Sequence, residues 1–391
     1  MLAFDPMSWN ELTHRFWPVA VISFVLSLIM TPVCRKIAHR RGIVDKPDAF
    51  LKPHEKPIPY LGGVAIFVGW VSGLVIAWLL NRDAVRSEII WGIAGAGLLT
   101  MLVGLFDDLR VMSARVKLAT NIVVAIFLLY LGLGDKFIYV FANQMGVAFT
   151  EKQRWLELLY SVPITLFIVV GSCNATNLID GLDGLCAGVL GLISLGFFVL
   201  AAYLTQYRET EIASERVVFA LAMLGAAAGF LPYNLNPATI FLGDAGSMLL
   251  GFNAAVIMLL FAEEQLTWFM ASVMVFGLPV GDMLLTLVRR WRNGRPLMLG
   301  DRSHFYDQLR DRGLTVKRVV GISYVLTLVF VSLGVAVIFL QTRYVLLLYT
   351  VAFVGAIALI WKFNMASLDR EALRKELLAD AAGSTDSTER V

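Results

Sequence analysis

The sequence is poor in charge. Asp, Glu, Lys and Arg make up 16% of its 391 residues, where an ordinary soluble domain carries about 25%, and 58% of the chain is hydrophobic. With a mean hydropathy of +0.73, a water-soluble globular protein is excluded and a chain built for lipid is indicated. Cysteine is scarce: Cys34, Cys173 and Cys186 are scattered. They support neither a disulfide framework nor a zinc site, and read as small buried side chains. The residues before Trp17 lack a basic leader, so no secretory signal peptide is read there and the first span is taken as retained. There is no convincing internal repeat, and nucleic acid is not an expected partner.

What the chain has instead is windows of about 20 apolar residues along its whole length. About eleven spans are expected, near 17–34, 61–80, 89–106, 116–133, 155–172, 185–205, 217–231, 247–261, 267–288, 319–340 and 344–361. The expected fold class is all-α, a polytopic integral membrane protein. Eleven spans put the termini on opposite sides. The side that holds loops 35–60 and 289–318 and the tail carries most of the 33 Lys and Arg residues, so it is expected to be cytoplasmic, with the N-terminus outside. On the outer side, segments 137–141 and 147–150 flank 143–146 and read as a small β-hairpin lying on the membrane.

Polar residues interrupt this pattern at a few places. The run from Asn174 through Asn177, Asp180 and Asp183 to Leu185 sets two amides and two carboxylates between apolar segments, with a glycine after each acid. Charge beside hydrocarbon is expensive, so such a cluster suggests a site. Asp107 and Asp108 end the third span. Adjacent aspartates repel, which implies a cation or polar partner, the alternative being a solvated pair beside Arg110. Lys117 follows, placed to meet a phosphate or to snorkel. In the stretch from Asn234 to Ser247, Gly243 and Gly246 let the backbone approach a ligand around Asp244, and the first amides of the next span could face a phosphate. Asp107, Asp108, Asp180, Asp183 and Asp244 all fall on one membrane face, a pattern that matches a magnesium-assisted phosphate site.

Two basic loops share that face. Lys52, His54 and Lys56 lie among prolines in a stiff first loop that suits an anionic substrate or, equally, anionic lipid head groups. The last loop holds Asp301, Arg302, His304, Tyr306 and Asp307; its basicity suits a phosphate clamp but is also what orientation alone demands. Asp282 lies about two turns before Arg289, within reach of the same cavity.

Taken together, these elements resemble the polyprenyl-phosphate N-acetylhexosamine-1-phosphate transferases, over roughly residues 45–318 and with several motifs in family order. The superfamily includes initiating enzymes of O-antigen, enterobacterial common antigen and teichoic acid synthesis, and the phospho-MurNAc-pentapeptide translocase. The resemblance implies a transmembrane catalytic domain over 1–366 with a cytoplasmic tail over 367–391, located in the inner (plasma) membrane. It implies transfer of a sugar 1-phosphate from a UDP-amino sugar to undecaprenyl phosphate on the cytoplasmic face, with release of UMP. The implied cofactor is Mg2+, with Mn2+ as an alternative; membrane lipid is a further partner and a homodimer is left open.

By motif, Asp107, Asp108, Asp180 and His304 are carried over as catalytic, and Asp244 with Asp108 as the metal site. Asn174, Asn177 and Asp183 fall on the loop lining the nucleotide, and Gly181, Leu182, Asn234 and Phe241 around uracil and ribose. Lys117 falls near the lipid-phosphate groove, while Lys52, His54, Lys56, Asp282 and Arg302 complete the substrate contacts. One departure stands out. The family's last loop carries a His-x-His-His-like motif, and here Tyr306 and Asp307 replace the later histidines. The triple histidine of the peptidoglycan enzyme is also missing, which favours GlcNAc over MurNAc-pentapeptide and leaves related amino sugars open. A transporter or flippase, the reading from another class, would place ionisable groups near the bilayer midplane, where this sequence has almost none.

Overall fold

The computed structural model describes residues 8–45, 57–110, 112–144, 146, 154–207, 213–294 and 304–362. Its first half contains α1 (Trp9–Arg41), β1 (Val44–Asp45), β2 (Ile58–Pro59), α2 (Gly62–Leu80), α3 (Ser87–Leu109), α4 (Ala114–Tyr130), α5 (Phe137–Gln144) and α6 (Arg154–Leu178). There follow α7 (Leu185–Tyr207), α8 (Ala213–Asn234), α9 (Gly243–Ala262), α10 (Leu266–Val275), α11 (Gly277–Arg292), α12 (Phe305–Asp311), α13 (Val316–Val337) and α14 (Thr342–Lys362). The all-α class expected from composition holds.

Among the described residues, nine helices are long and apolar enough to cross a membrane. The segment expected as a single span over 267–288 is instead the pair α10 and α11, bent by 73° and counting as a tenth if taken as one span. The remaining expected segment forms α4, which at 17 residues reaches only about 25 Å, short of a hydrocarbon core of roughly 30 Å. The expected outer hairpin is not formed in its first half: Phe137–Gln144 is a helix. Phe137 and Phe141 recur at helical spacing, Phe137 packs edge-on against Phe269, and the Ile138 amide donates to Ser161 Oγ, so packing overrides strand propensity. Segment 147–150 lies outside the described residues, as does the tail 367–391.

α9 is apolar all round, and a helix of that kind belongs inside. Every residue from Ala245 to Ala262 is buried, with α2, α3, α6, α8 and α10 packed about it. Its one mid-helix amide, Asn253, accepts from Trp70 Nε1 of α2 at 3.1 Å and donates to the Phe219 carbonyl of α8. α13 packs on α7 and α10 at the edge, and α14 is joined through the Tyr349 hydroxyl to the Met270 carbonyl. The outward faces of α1, α13 and α14 carry exposed apolar side chains such as Ile29, Val325 and Phe353, as lipid-facing surfaces do.

Cys34, Cys173 and Cys186 are free and buried, in keeping with the expected reading. β1 and β2 make a two-residue antiparallel bridge, Val44 opposite Pro59 and Asp45 opposite Ile58, that pinches the neck of the first long loop.

The C-terminal end of α9 is closed by a buried charge. Arg216 of α8 donates from Nε and Nη2 to the Leu260 carbonyl at 2.9 and 2.7 Å, and from Nη2 to Glu264 Oε1 at 2.7 Å. Replacing Arg216 with Met leaves that carbonyl and carboxylate short of a partner, with an expected loss of about 3 kcal/mol. Thermal unfolding of the detergent-solubilised variant checks it; an unchanged midpoint would remove Arg216 from the supports of α9.

Candidate active site

At the other end of α9, the C-termini of α3 and α6 and the first turn of α4 converge on its N-terminus. The first amides of a helix have no partners within it, and here they are shielded from water by packing. Asp108, in the last turn of α3, supplies the acceptors: Oδ1 takes the Asp244 N–H at 2.8 Å and Oδ2 the Ala245 N–H at 3.1 Å. Its negative charge also complements the positive end of the helix dipole. Two glycines make room for this. Gly243 adopts φ +74°, and a Cβ there would sit 2.6 Å from Asp108 Oδ2; a Cβ on Gly104 would sit 2.5 Å from the Asp244 carbonyl oxygen.

Asp107 faces the other way. Its Oδ1 accepts from the Met112 amide at 2.6 Å, which fixes the turn into α4, and its Oδ2 pairs with the Lys117 ammonium. Lys117 is shared: Nζ also donates to Asp244 Oδ2 at 2.5 Å. Asn177 completes the Asp244 environment, donating from Nδ2 to Asp244 Oδ1 at 2.8 Å and to Ser247 Oγ at 3.0 Å. The side chains of Asp244 and Lys117 keep 27% and 28% of their surface exposed, so the bridge opens to solvent. Asn174, one turn back on α6, stands apart: it is exposed and donates to the Val170 carbonyl of its own helix.

The connection between α6 and α7 forms one wall. Asp183 Oδ2 accepts from Asn236 Nδ2 at 2.8 Å and from the Ala238 amide at 3.0 Å. In return Asn234 Oδ1 accepts from the Gly184 amide and its Nδ2 donates to the Ile240 carbonyl. Asp183 and Asn234, expected at the nucleotide, are thus engaged in tying two loops together. The next loop is tied in turn to the start of α2, since the Phe241 amide donates to the Pro59 carbonyl at 2.7 Å and the Gly62 amide to the Phe241 carbonyl at 3.1 Å. Leu182 packs on the hydrophobic core. Asp180 differs from its neighbours. No hydrogen bond to its carboxylate is made among the described residues, and burial, with Asp244, Asp108 and Asp183 nearby, holds its proton affinity well above the usual carboxylate range.

A second wall comes from α11 and α12. Buried Asp282 meets His304 Nδ1 through Oδ2 at 2.8 Å and accepts from the Phe305 amide through Oδ1 at 3.0 Å. Thr286 Oγ1 lies 3.3 Å from the same His304 nitrogen. Asp307 accepts from the His304 amide at 3.2 Å, and its burial raises its carboxyl to about 6. Tyr306 crosses to the first wall, donating its hydroxyl to the Leu178 carbonyl at 2.9 Å over the backbone of Gly181.

The structure therefore joins Asp107, Asp108, Lys117, Asn177 and Asp244 directly, keeps Asp180 near them, and pairs Asp282 of α11 with His304 at the start of α12. Lys52, His54, Lys56 and Arg302 lie outside the described residues. Sequence reading missed the capping role of Asp108, the part of Ser247 in holding Asn177, and the reach of Tyr306. The positive-φ demand at Gly243 was the signal for the first, and an aromatic in a polar loop for the last.

Among the described residues, no three His, Cys, Asp or Glu side chains meet closely enough to hold a metal ion unaided. The donor chemistry still fits a hard divalent cation of the Mg2+ type. Such an ion uses one or two carboxylates and takes its other ligands from water and substrate phosphates, and Asp244 and the unpartnered Asp180 offer oxygens of that kind.

A bundle of apolar helices with carboxylates, an amide and a lysine gathered at one end is a polytopic membrane protein with a polar site at one face. Residues 90–262 match the family model described as Glycosyl transferase family 4. A probable undecaprenyl-phosphate N-acetylglucosaminyl 1-phosphate transferase of Bacillus subtilis is 32% identical over 325 residues, covering 82% of this chain and 84% of that protein. A decaprenyl-phosphate N-acetylglucosaminephosphotransferase of Mycobacterium tuberculosis is 32% identical over 324 residues, 78% of either chain. A phospho-N-acetylmuramoyl-pentapeptide-transferase of Bacillus anthracis is 31% identical over 267 residues, 65% of this chain and 76% of that one. The chain belongs to the polyprenyl-phosphate N-acetylhexosamine-1-phosphate transferase superfamily, and its likeness to the N-acetylglucosamine type covers more of its length than its likeness to the muramoyl type.

Asp108→Asn tests the cap. An amide has a single acceptor oxygen and turns its NH2 toward a backbone N–H, so a stability loss of about 1–2 kcal/mol is expected. Thermal unfolding measures this apart from activity; native stability in the variant would separate Asp108 from the N-terminus of α9.

Proposed function

We propose that this enzyme transfers N-acetylglucosamine 1-phosphate from its UDP derivative to undecaprenyl phosphate, releasing UMP and leaving an undecaprenyl-diphosphate-linked sugar. The observation that carries the reading is the bridge Asp107–Lys117–Asp244, held over the N-terminus of α9 in a chain of this family. Its site end faces the cytoplasm of a plasma membrane on this reading, as the basic loops favour. The product would be the first lipid-linked intermediate of a cell-envelope polysaccharide.

The reaction forms a bond from a lipid-phosphate oxygen to the β-phosphorus and breaks the bond from that phosphorus to the oxygen bridging to UMP. The nucleophile is already anionic near neutral pH, so the protein needs chiefly to position the groups and balance charge. Lys117 is placed to do both. Its ammonium is held between two carboxylates at the opening, and an arriving phosphate competes for it at little desolvation cost. Asn177 keeps Asp244 directed toward the opening. Asp180, with no hydrogen-bond partner for its carboxylate among the described residues and with Asp244 and Asp108 nearby, offers a further oxygen donor to a bound cation. Asp244 with Asp180 would hold Mg2+, or Mn2+ in its place, since both oxygens of Asp108 are taken by α9 amides; the bound ion would neutralise charge on the diphosphate and the departing UMP.

Direct displacement is favoured over an aspartyl-phosphate route. Both oxygens of Asp107 are engaged, one by the Met112 amide and one by Lys117, which makes it a poor nucleophile. The clustering of acids at one end also speaks for a transferase over a flippase, which would need them at mid-depth.

Purified protein with magnesium, undecaprenyl phosphate and a panel of UDP-sugars is expected to release UMP fastest with UDP-N-acetylglucosamine. Absence of release with every sugar would overturn the assignment, and a different preferred sugar would replace the donor. Asp244→Ala should lower turnover by about 10²-fold or more. Incubation with labelled UDP-sugar and no lipid should leave the protein unlabelled, and a stable phospho-enzyme would sink direct displacement.

A further inference from the structure

Asp180 poses a mechanical problem. It sits in a short turn facing Asp244, Asp108 and Asp183, and no hydrogen bond to its carboxylate holds it there among the described residues. Lost hydration of an unpaired carboxyl favours the turn swinging outward. On one side Asp183 and Gly184 tie it to loop 234–242. The Tyr324 hydroxyl of α13 adds a hydrogen bond to the Gly184 carbonyl at 2.6 Å. Nearer Asp180 the contact is Tyr306, whose hydroxyl donates to the Leu178 carbonyl and whose ring packs so closely on Gly181 that a Cβ there would lie 2.2 Å from the phenolic oxygen.

Tyr306 is itself well anchored. Its ring lies parallel to that of His304, with centroids 5.2 Å apart and planes 8° from parallel, and Asp282 of α11 fixes His304 and the Phe305 amide. We propose that Tyr306 is a positioning residue, a latch that carries the anchorage of α11 and α12 across to the turn 179–184 and so holds Asp180 in the site. The proposal rests on the reaction proposed above for its catalytic consequence, though not for the latch itself. A phenol suits the post: its burial, and then Asp307, Asp282 and Asp180 around it, hold its proton far more tightly than usual, so it stays a donor. Replacing the expected histidine with tyrosine therefore exchanges a titratable group for a fixed one between the two walls.

The test uses the full chain in detergent and reads backbone hydrogen exchange over 179–184. Tyr306→Phe removes the hydroxyl and keeps the ring; loss of one net hydrogen bond should speed exchange there by about fivefold. Tyr306→Ala should speed it further. Gly181 has an ordinary backbone conformation, so Gly181→Ala probes only the contact. It should mimic Tyr306→Ala in the native background and add nothing in the Tyr306→Ala background.

Turnover in Tyr306→Phe should fall by a similar factor while KM for the UDP-sugar stays within about twofold, the pattern of a lost transition-state arrangement. Unchanged exchange in both Tyr306 variants, or full additivity of Gly181→Ala with Tyr306→Ala, would overturn the latch. A transferase that used none of the sugars would fail the reaction while leaving the exchange results to decide the latch.

Discussion

A helix surrounded by other helices cannot leave its end groups to water, and α9 is surrounded along its whole apolar length. The neighbours supply what water would. Asp108 of α3 accepts the first amides and Arg216 of α8 donates to a last-turn carbonyl, an anion at the positive end and a cation at the negative end. Both charges are thereby stabilised where an isolated charge would be costly. The same requirement fixes how closely α3 approaches, which is why Gly104 and Gly243 stand where any side chain would intrude.

The candidate site is a consequence of that closure. Once Asp108 is committed to the cap, its neighbour Asp107 must turn toward α4, and Asp244, the first acid of α9, must point out of the bundle. The two then face each other across Lys117. A single ammonium cannot balance two carboxylates, so the cluster keeps an excess of negative charge, which in the proposed reaction a divalent cation would offset. Its electrostatics are poised for exchange of partners, which the proposed transfer from a diphosphate donor to a lipid monophosphate demands.

Much of this was legible in the sequence. Long apolar windows gave the helices because backbone groups in lipid have few alternatives, and acids at the window ends stood out because they are costly there. Asp107, Lys117, Asn177 and Asp244 could be grouped for that reason. What could not be read was direction. Asp107 and Asp108 are adjacent and chemically alike, and only packing of α3 on α9 makes one a cap and the other a partner of Lys117. The resemblance sets Asp183 and Asn234 at the nucleotide; what only the fold shows is that their partners are backbone groups and an amide of a loop far away in sequence. The hairpin expected at 137–141 failed because β-branched and aromatic residues fit a strand locally, while Phe269 and Ser161 favour a helix there. The bend between α10 and α11 left no periodicity signal, since both halves are apolar where they meet.

The two halves of the site differ in how they are held, and this bears on how such enzymes can diverge. Asp107, Lys117, Asn177 and Asp244 project from helix ends locked to α9, and all lie within 90–262, the region matched by the family model. His304, Tyr306 and Asp307 lie beyond it, at the start of α12, which is attached through Asp282 and the Leu178 carbonyl. Changes on the loop alter the second wall without disturbing the cap of α9, whereas a change at Asp108 or Gly243 strains the buried helix itself. The acid–lysine cluster is therefore bound to the fold's stability and the second wall is not. Tyr306 fits this arrangement because its hydroxyl finds a backbone acceptor at the end of α6.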